Sequence, residues 1–235
     1  MSENRKRLLL ISNSTLHGGG YLDYAEGEIR DFLAGVCQVL FVPYALRDRD
    51  GYAAKAAERL GSMGFRVSSV HHAPDPRAAV ESAEAIFIGG GNTFRLLKTL
   101  YDTDLLDPIR RRAQEGSLCY MGASAGSNVA CPTIRTTNDM PIVEPPSLRA
   151  LGLVPFQINP HYIDPDPNST LMAETREERL LQFLEENETP VVALREGAML
   201  RVESGRVMLK GVAAARIFRR GEPPRELAPG SRLEL

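Results

Sequence analysis

The chain has 235 residues, 43% hydrophobic and 25% charged, with 28 lysines and arginines against 30 aspartates and glutamates and a formal net charge of -2. That balance suits a folded domain with a full core and excludes a disordered or strongly basic chain; with no basic run to track phosphates, nucleic acid is not an expected partner. Only four apolar residues follow the basic triplet Arg5-Lys6-Arg7, too few for a secretory core, and no later stretch reaches the length of a membrane span.

In chain order, Leu8 to Ile11, Val39 to Val42, Phe65 to Val70, Ala85 to Ile88 and Leu118 to Met121 are apolar runs bounded by turn residues. Strands that lack polar alternation belong to a sheet covered on both faces. Between them, Tyr52 to Met63 sets Ala53, Ala56, Leu60 and Met63 on one helical face, and Thr93 to Tyr101 does the same with Phe94, Leu97 and Leu100. The pattern predicts an α/β fold with a mostly parallel sheet and helices on both faces. Thr175 and Glu178 have capping-box spacing at the head of a helix that continues through Leu180, Leu181 and Leu184. Val191 to Leu194 reads as the next strand. Met199 to Val202, Arg206 to Leu209 and Ala213 to Phe218 then read as a short antiparallel meander at the sheet edge, and the Pro-rich tail after Arg220 as loosely held. No repeat or linker divides residues 1–235, so one domain is expected. Three widely spaced cysteines, Cys37, Cys119 and Cys131, offer no zinc spacing and fit a reducing cytoplasm.

The strongest chemical signal is LCYMGASAG at residues 118–126, where an apolar strand breaks into Gly122-Ala123-Ser124-Ala125-Gly126 and a helix can follow. A serine on a tight strand-to-helix turn is presented as a nucleophile, whereas in an ordinary loop the same glycines only make a turn. A serine nucleophile needs a base, a group to orient that base, and donors for an oxyanion. Four histidines are available: His17, His71, His72 and His161. His71 and His72 are adjacent at a strand end and would point to opposite sides. His161 is better placed, after a short apolar run and behind Pro160, which fixes the backbone. Two acids remain open for the orienting role: Asp139 in a polar stretch, and Glu196 just past the strand ending at Leu194, where sites of open α/β sheets gather. Ala125 supplies one oxyanion amide, and Gly90 or Gly91 in Gly89-Gly90-Gly91-Asn92-Thr93 the other. The triplet lacks the ending of a P-loop. Cys119 lies inside the apolar strand and reads as a small buried hydrophobe. Arg176 could hold a carboxylate through its planar fork, although such an arginine by default pairs with neighbouring glutamates on its helix.

Ser12-Asn13-Ser14-Thr15-Leu16, GGGNTF at 89–94, Ser124-Ala125-Gly126, CPTIRTTNDMPIV at 131–143, QINPH at 157–161 and ETRE at 174–177 together resemble peptidase E, the cytoplasmic α-aspartyl dipeptidase family. The resemblance covers most of the chain and implies a flavodoxin-like fold similar to class I glutamine amidotransferases, with serine in place of the nucleophilic cysteine of those amidotransferases. It implies hydrolysis of dipeptides that begin with aspartate, with Ser124 as nucleophile, His161 as base, and Arg176 and Asn92 binding the substrate. The family's third member corresponds to Asp139 or to Glu196; strand-end position tips the choice toward Glu196. Two departures are visible: Ala123 where a tryptophan can precede the nucleophile, and Arg195 where a proline can precede the glutamate. No cofactor or metal is required by this chemistry, and a homo-oligomer is compatible with it. The competing expectations are a cyanophycinase-like β-aspartyl peptidase and a non-catalytic module that binds an acidic metabolite.

Overall fold

The computed structural model describes residues 6–168, 170 and 172–235, so Arg5 of the basic triplet lies outside the described residues. Five short parallel strands, β1 (Leu8–Ile11), β2 (Gln38–Val42), β3 (Arg66–Ser69), β4 (Ala85–Ile88) and β5 (Cys119–Ala123), lie in the order β3-β2-β4-β5-β1. Side chains on each strand alternate between two apolar faces. Leu8, Leu10, Leu40, Val42, Ile86, Ile88 and Tyr120 enter one core, and Leu9, Ile11, Val39, Phe41, Phe87, Met121 and Ala123 enter the other. Both faces are covered, which is why β1, β4, β5 and most of β2 read as apolar runs, whereas β3 at the sheet edge carries Arg66, Ser68 and Ser69.

Helices α1 (Glu26–Phe32) and α2 (Arg49–Ser62) cover the second face through Ile29, Phe32, Ala53, Ala56 and Leu60. On the first face lie α3 (Pro76–Ser82), α4 (Thr93–Asp102), α5 (Leu106–Glu115) and α6 (Ala125–Val129). Each burial of a leucine, isoleucine or phenylalanine here contributes about 1.5–3 kcal/mol against the cost of ordering the chain.

A second sheet sits beside this frame. It contains β6 (Gln157–Tyr162), β7 (Val191–Arg195), β10 (Ala215–Phe218) and β11 (Arg225–Leu227) in the order β11-β10-β7-β6, with β6 and β7 parallel. Its inner face adds Ile158, Val192, Leu194 and Ile217 to the first core. Its outer face, with Tyr162, Val191, Ala193 and Phe218, is covered by Leu180 and Leu184 of α7 (Arg176–Glu186). The predicted capping box is present, with the Thr175 hydroxyl accepting from Glu178 N–H and the Glu178 carboxylate accepting from Thr175 N–H.

Three expectations are corrected. The C-terminal strands are not one meander: β8 (Ala198–Glu203) and β9 (Arg206–Gly211) form a hairpin on the β1 edge of the main sheet, while β10 pairs with β7 in the second. Apolar content marks a strand without saying which sheet receives it. The tail is also held, since β11 pairs with β10 and Leu233 is buried with its amide bonded to the Val207 carbonyl. Finally, His71 and His72 lie in a 3-10 turn after β3 rather than in extended chain, so both imidazoles reach the same carboxylate, Asp50.

Candidate active site

Strand β5 ends at Ala123 and α6 begins at Ala125, so the whole reversal falls on Ser124, at φ 51° and ψ -108°. That conformation is strained for a residue with a Cβ, and it lifts the side chain clear of both elements. The flanking glycines make the turn physically possible. A Cβ on Gly126 would stand 2.1 Å from the Ile88 carbonyl oxygen, and one on Gly122 would stand 2.4 Å from the Gly126 oxygen. Ser127 N–H and Asn128 N–H donate to the Ser124 carbonyl at 2.8 and 3.0 Å and start the helix.

His161 comes from the other sheet. Residues 157–159 of β6 pair in step with 191–193 of β7, but the next pair is Tyr162 with Arg195, so β6 carries one extra residue at Pro160-His161. A bulge of this kind bends a strand and re-aims a side chain, and proline, with no N–H to donate, is tolerated there. His161 is at φ 52°, and its Nε2 lies 2.9 Å from Ser124 Oγ. The bulge is held by Ser12, just past β1: His161 N–H donates to Ser12 Oγ at 2.9 Å, and Ser12 Oγ donates to the Leu194 carbonyl at 2.9 Å.

Glu196 follows β7 at the turn into β8, and its Oε1 lies 2.8 Å from His161 Nδ1. Asn13 fixes that turn by accepting Gly197 N–H at 2.8 Å, and the Tyr24 hydroxyl donates to the Asn13 carbonyl at 2.7 Å. Burial pushes the Tyr24 phenol well up, so it stays a neutral donor. Arg195, where the family can carry proline, stiffens the same strand end: its guanidinium takes Asp164 at 2.6 and 2.7 Å and Glu226 at 2.9 and 2.8 Å. Both carboxylates raise its pKa far above the ordinary value.

Asp139, the other open acid, has a different set of partners. Its Oδ2 accepts from Thr93 N–H at 2.8 Å and from the hydroxyls of Thr93 and Thr137 at 2.6 and 3.2 Å. It closes the first turn of α4, where backbone amides lack helical acceptors, and makes no hydrogen bond to His161. Asn92 is likewise committed to structure. Its Oδ1 caps α4 by accepting Arg95 N–H at 3.0 Å, and its Nδ2 donates to the Met140 carbonyl at 2.8 Å. Sequence reasoning put Asn92 on the substrate; the structure leaves both ends of its amide occupied.

The peptidase S51 family model matches residues 8–210. The chain belongs to that family. It is 58% identical over 226 residues to "Peptidase E" of Streptomyces coelicolor, an alignment that spans 96% of this chain and 93% of the relative. It is 50% identical over 226 residues to "Probable alpha-aspartyl dipeptidase" of Drosophila melanogaster, spanning 95% and 94%. Among solved structures, a peptidase from an acI-B1 Actinobacterium shares the fold at a TM-score of 0.71 and 18% identity over 99% of both chains. The resemblance carried by the sequence motifs is thereby borne out, as is the α/β fold.

In this S51 chain Ser124 and His161 open into a cleft of about 770 Å³, also lined by Gly90, Gly91, Asp139 and Arg176. Gly90 passes close beneath the serine, so that a Cβ there would be 3.1 Å from Ser124 Cβ. Ala125 stands at the first helical position of α6, where an amide has no partner within the helix. Arg176, the first residue of α7, is partly buried in the cleft wall. Its helix neighbours pair elsewhere, Arg179 with Glu174 and Glu177 with Arg216, and among the described residues no carboxylate lies within ion-pair distance of Arg176. Burial first, then the nearby Arg179, lowers its pKa, while Asp139 and Glu196 act the other way. A cation left without a partner in a half-buried wall is prepared for an anionic ligand.

Sequence reasoning missed the residues behind Ser124, His161 and Glu196. Ser12 and Asn13 tie the His161 bulge and the Glu196 turn to β1. Thr136 and Asn138 of the 131–143 segment brace β6 through the Ile158 and Pro160 carbonyls at 2.8 and 2.7 Å. Polar residues immediately after an apolar strand were the available signal, since a buried hydroxyl or amide must find partners.

Proposed function

We propose that this S51 peptidase hydrolyses dipeptides that begin with aspartate, forming an aspartyl ester on Ser124. The observation that carries the reading is one hydrogen-bonded line, Ser124 Oγ to His161 Nε2 at 2.9 Å and His161 Nδ1 to Glu196 Oε1 at 2.8 Å, opening into a cleft whose wall holds an unpaired arginine. Glu196 accepts the Nδ1 proton and so leaves Nε2 as the basic nitrogen facing the hydroxyl.

In the reaction, His161 takes the Ser124 proton as Oγ attacks the carbonyl carbon of the aspartyl residue. The backbone amides of Ala125 and of Gly90 or Gly91 receive the oxyanion. His161 then protonates the departing amine, and the C–N bond breaks. Water enters, gives its proton to His161, and releases aspartate by the reverse sequence. Arg176 pairs with the β-carboxylate of the substrate. An asparagine or alanine in its place leaves the guanidinium desolvated and unpaired, which is how the site selects charge.

This reading takes residues 1–235 as one catalytic domain acting on small peptides in the cytoplasm, with no nucleic-acid partner. Its support is three free cysteines, two of them buried, and the absence, among the described residues, of any helix long and apolar enough to cross a membrane. Comparing kcat/KM for α-Asp-Leu, β-Asp-Arg and Ala-Leu tests the substrate. Clear preference for α-Asp-Leu is expected; preference for the β-linked peptide overturns the reading in favour of a cyanophycinase-like activity. A serine-directed probe that fails to label Ser124 at all favours a binding module instead.

A further inference from the structure

We propose that Asp50, His71 and His72 form a structural site for a divalent transition cation of the zinc type, outside the catalytic cleft. Asp50 lies in the first turn of α2, and the histidines lie in the 3-10 turn after β3. His71 Nε2 is 3.0 Å and His72 Nε2 2.7 Å from the same oxygen, Asp50 Oδ1. One donor atom from each of the three lies within 4.8 Å of the others. Ligands held about 2.0–2.2 Å from one ion stand roughly 2.8–3.6 Å apart at octahedral to tetrahedral angles, a spacing that both histidine–carboxylate distances nearly match.

Ser69 Oγ lies 2.7 Å from His71 Nδ1 and 3.4 Å from the Phe41 carbonyl oxygen. With Nδ1 donating to Ser69, a neutral His71 turns its Nε2 lone pair toward Asp50 Oδ1 at 3.0 Å, a gap that a cation fills. A ligating histidine whose second nitrogen is fixed by a hydrogen bond is the usual arrangement at metal sites. Two imidazoles and one carboxylate suit zinc and its neighbours rather than calcium or magnesium. His71 is mostly buried, with 11% of its side chain exposed, while Asp50 and His72 are open to solvent, so an ion can enter and keep water in the remaining positions.

The place of the site gives it a use. Asp48, which caps α2 by accepting Gly51 N–H at 2.9 Å, and Gly51 and Tyr52 beside Asp50 all line the catalytic cleft. An ion at Asp50 would clamp the first turn of α2 to the end of β3 and so brace that wall of the cleft. None of the three ligands lines the cleft itself.

The test is calorimetric titration of the full chain with Zn²⁺ in a Cys37→Ser background, which removes the exposed thiol. One ion per chain is expected, with a rise in Tm on binding. His72→Ala and Asp50→Asn, both at exposed positions, should abolish the binding and the rise, and Ser69→Ala should weaken it by about 10–100-fold. No binding by the parent, or equal affinity in both ligand variants, overturns the proposal.

Discussion

Ser124 and His161 reach each other at 2.9 Å while both hold positive φ, 51° and 52°, the one at an elbow and the other at a bulge. Two sheets contribute one strained residue each, and the strain aims both side chains at a common point. Positive φ costs a residue with a Cβ about 1–3 kcal/mol, and glycine avoids most of that. Ser124→Gly is therefore expected to raise the free energy of unfolding by about 1–3 kcal/mol while removing turnover, measured by urea denaturation.

Glu196 and Asp139 separate by their partners. Glu196→Gln removes the carboxylate that faces His161 Nδ1, and kcat should fall by about 10²–10⁴-fold with little change in KM. Asp139→Asn keeps an acceptor for Thr93, so it should retain most of kcat. Steady-state rates on one aspartyl dipeptide decide the matter, and a loss confined to Asp139→Asn would contradict the assignment.

Arg176 is expected to set charge preference rather than bond cleavage. Two charge-assisted bonds of about 1.5–3 kcal/mol each imply that Arg176→Ala lowers kcat/KM for α-Asp-Leu by roughly 10²-fold or more. The rate for Asn-Leu should change far less, so the ratio between the two substrates collapses. Arg176→Lys should recover part of that ratio, since it restores the charge without the fork.

The Ser12 hydroxyl bonds backbone groups at Leu194 and His161, so its effect should be positional. Replacing it by alanine strands His161 N–H and the Leu194 carbonyl, both buried or partly buried, at about 1–3 kcal/mol each. Ser12→Ala should unfold at lower urea and show reduced kcat with KM nearly unchanged. Ser12→Thr keeps the hydroxyl and should recover both.

The parallel strands were legible because burial on two faces writes an unbroken apolar run, and the serine elbow because its glycines answer to close backbone contacts at Ile88 and Gly126. What the sequence did not carry was the partition into two sheets. Residues 191–194 and 213–218 read as strands, but nothing in their periodicity says that they leave the main sheet. The acid stayed undecided for a related reason: Glu196 meets His161 because β6 and β7 pair in parallel within the second sheet, a relationship of tertiary register rather than of spacing. Asn92 caps α4, a role the sequence does not separate from ligand binding, because a capping asparagine and a binding asparagine look alike in a glycine-rich loop. His71 and His72 were expected to diverge as strand neighbours do, and a 3-10 turn brought them together.

The central claim, that Ser124 is the nucleophile of an α-aspartyl dipeptidase, is tested most directly by kcat/KM of Ser124→Ala on α-Asp-Leu, with circular dichroism and Tm as controls of folding. The account predicts a fall of about 10⁴-fold or more with the fold intact, since removing a nucleophile disables the whole catalytic unit. Near wild-type hydrolysis by a folded Ser124→Ala would contradict it.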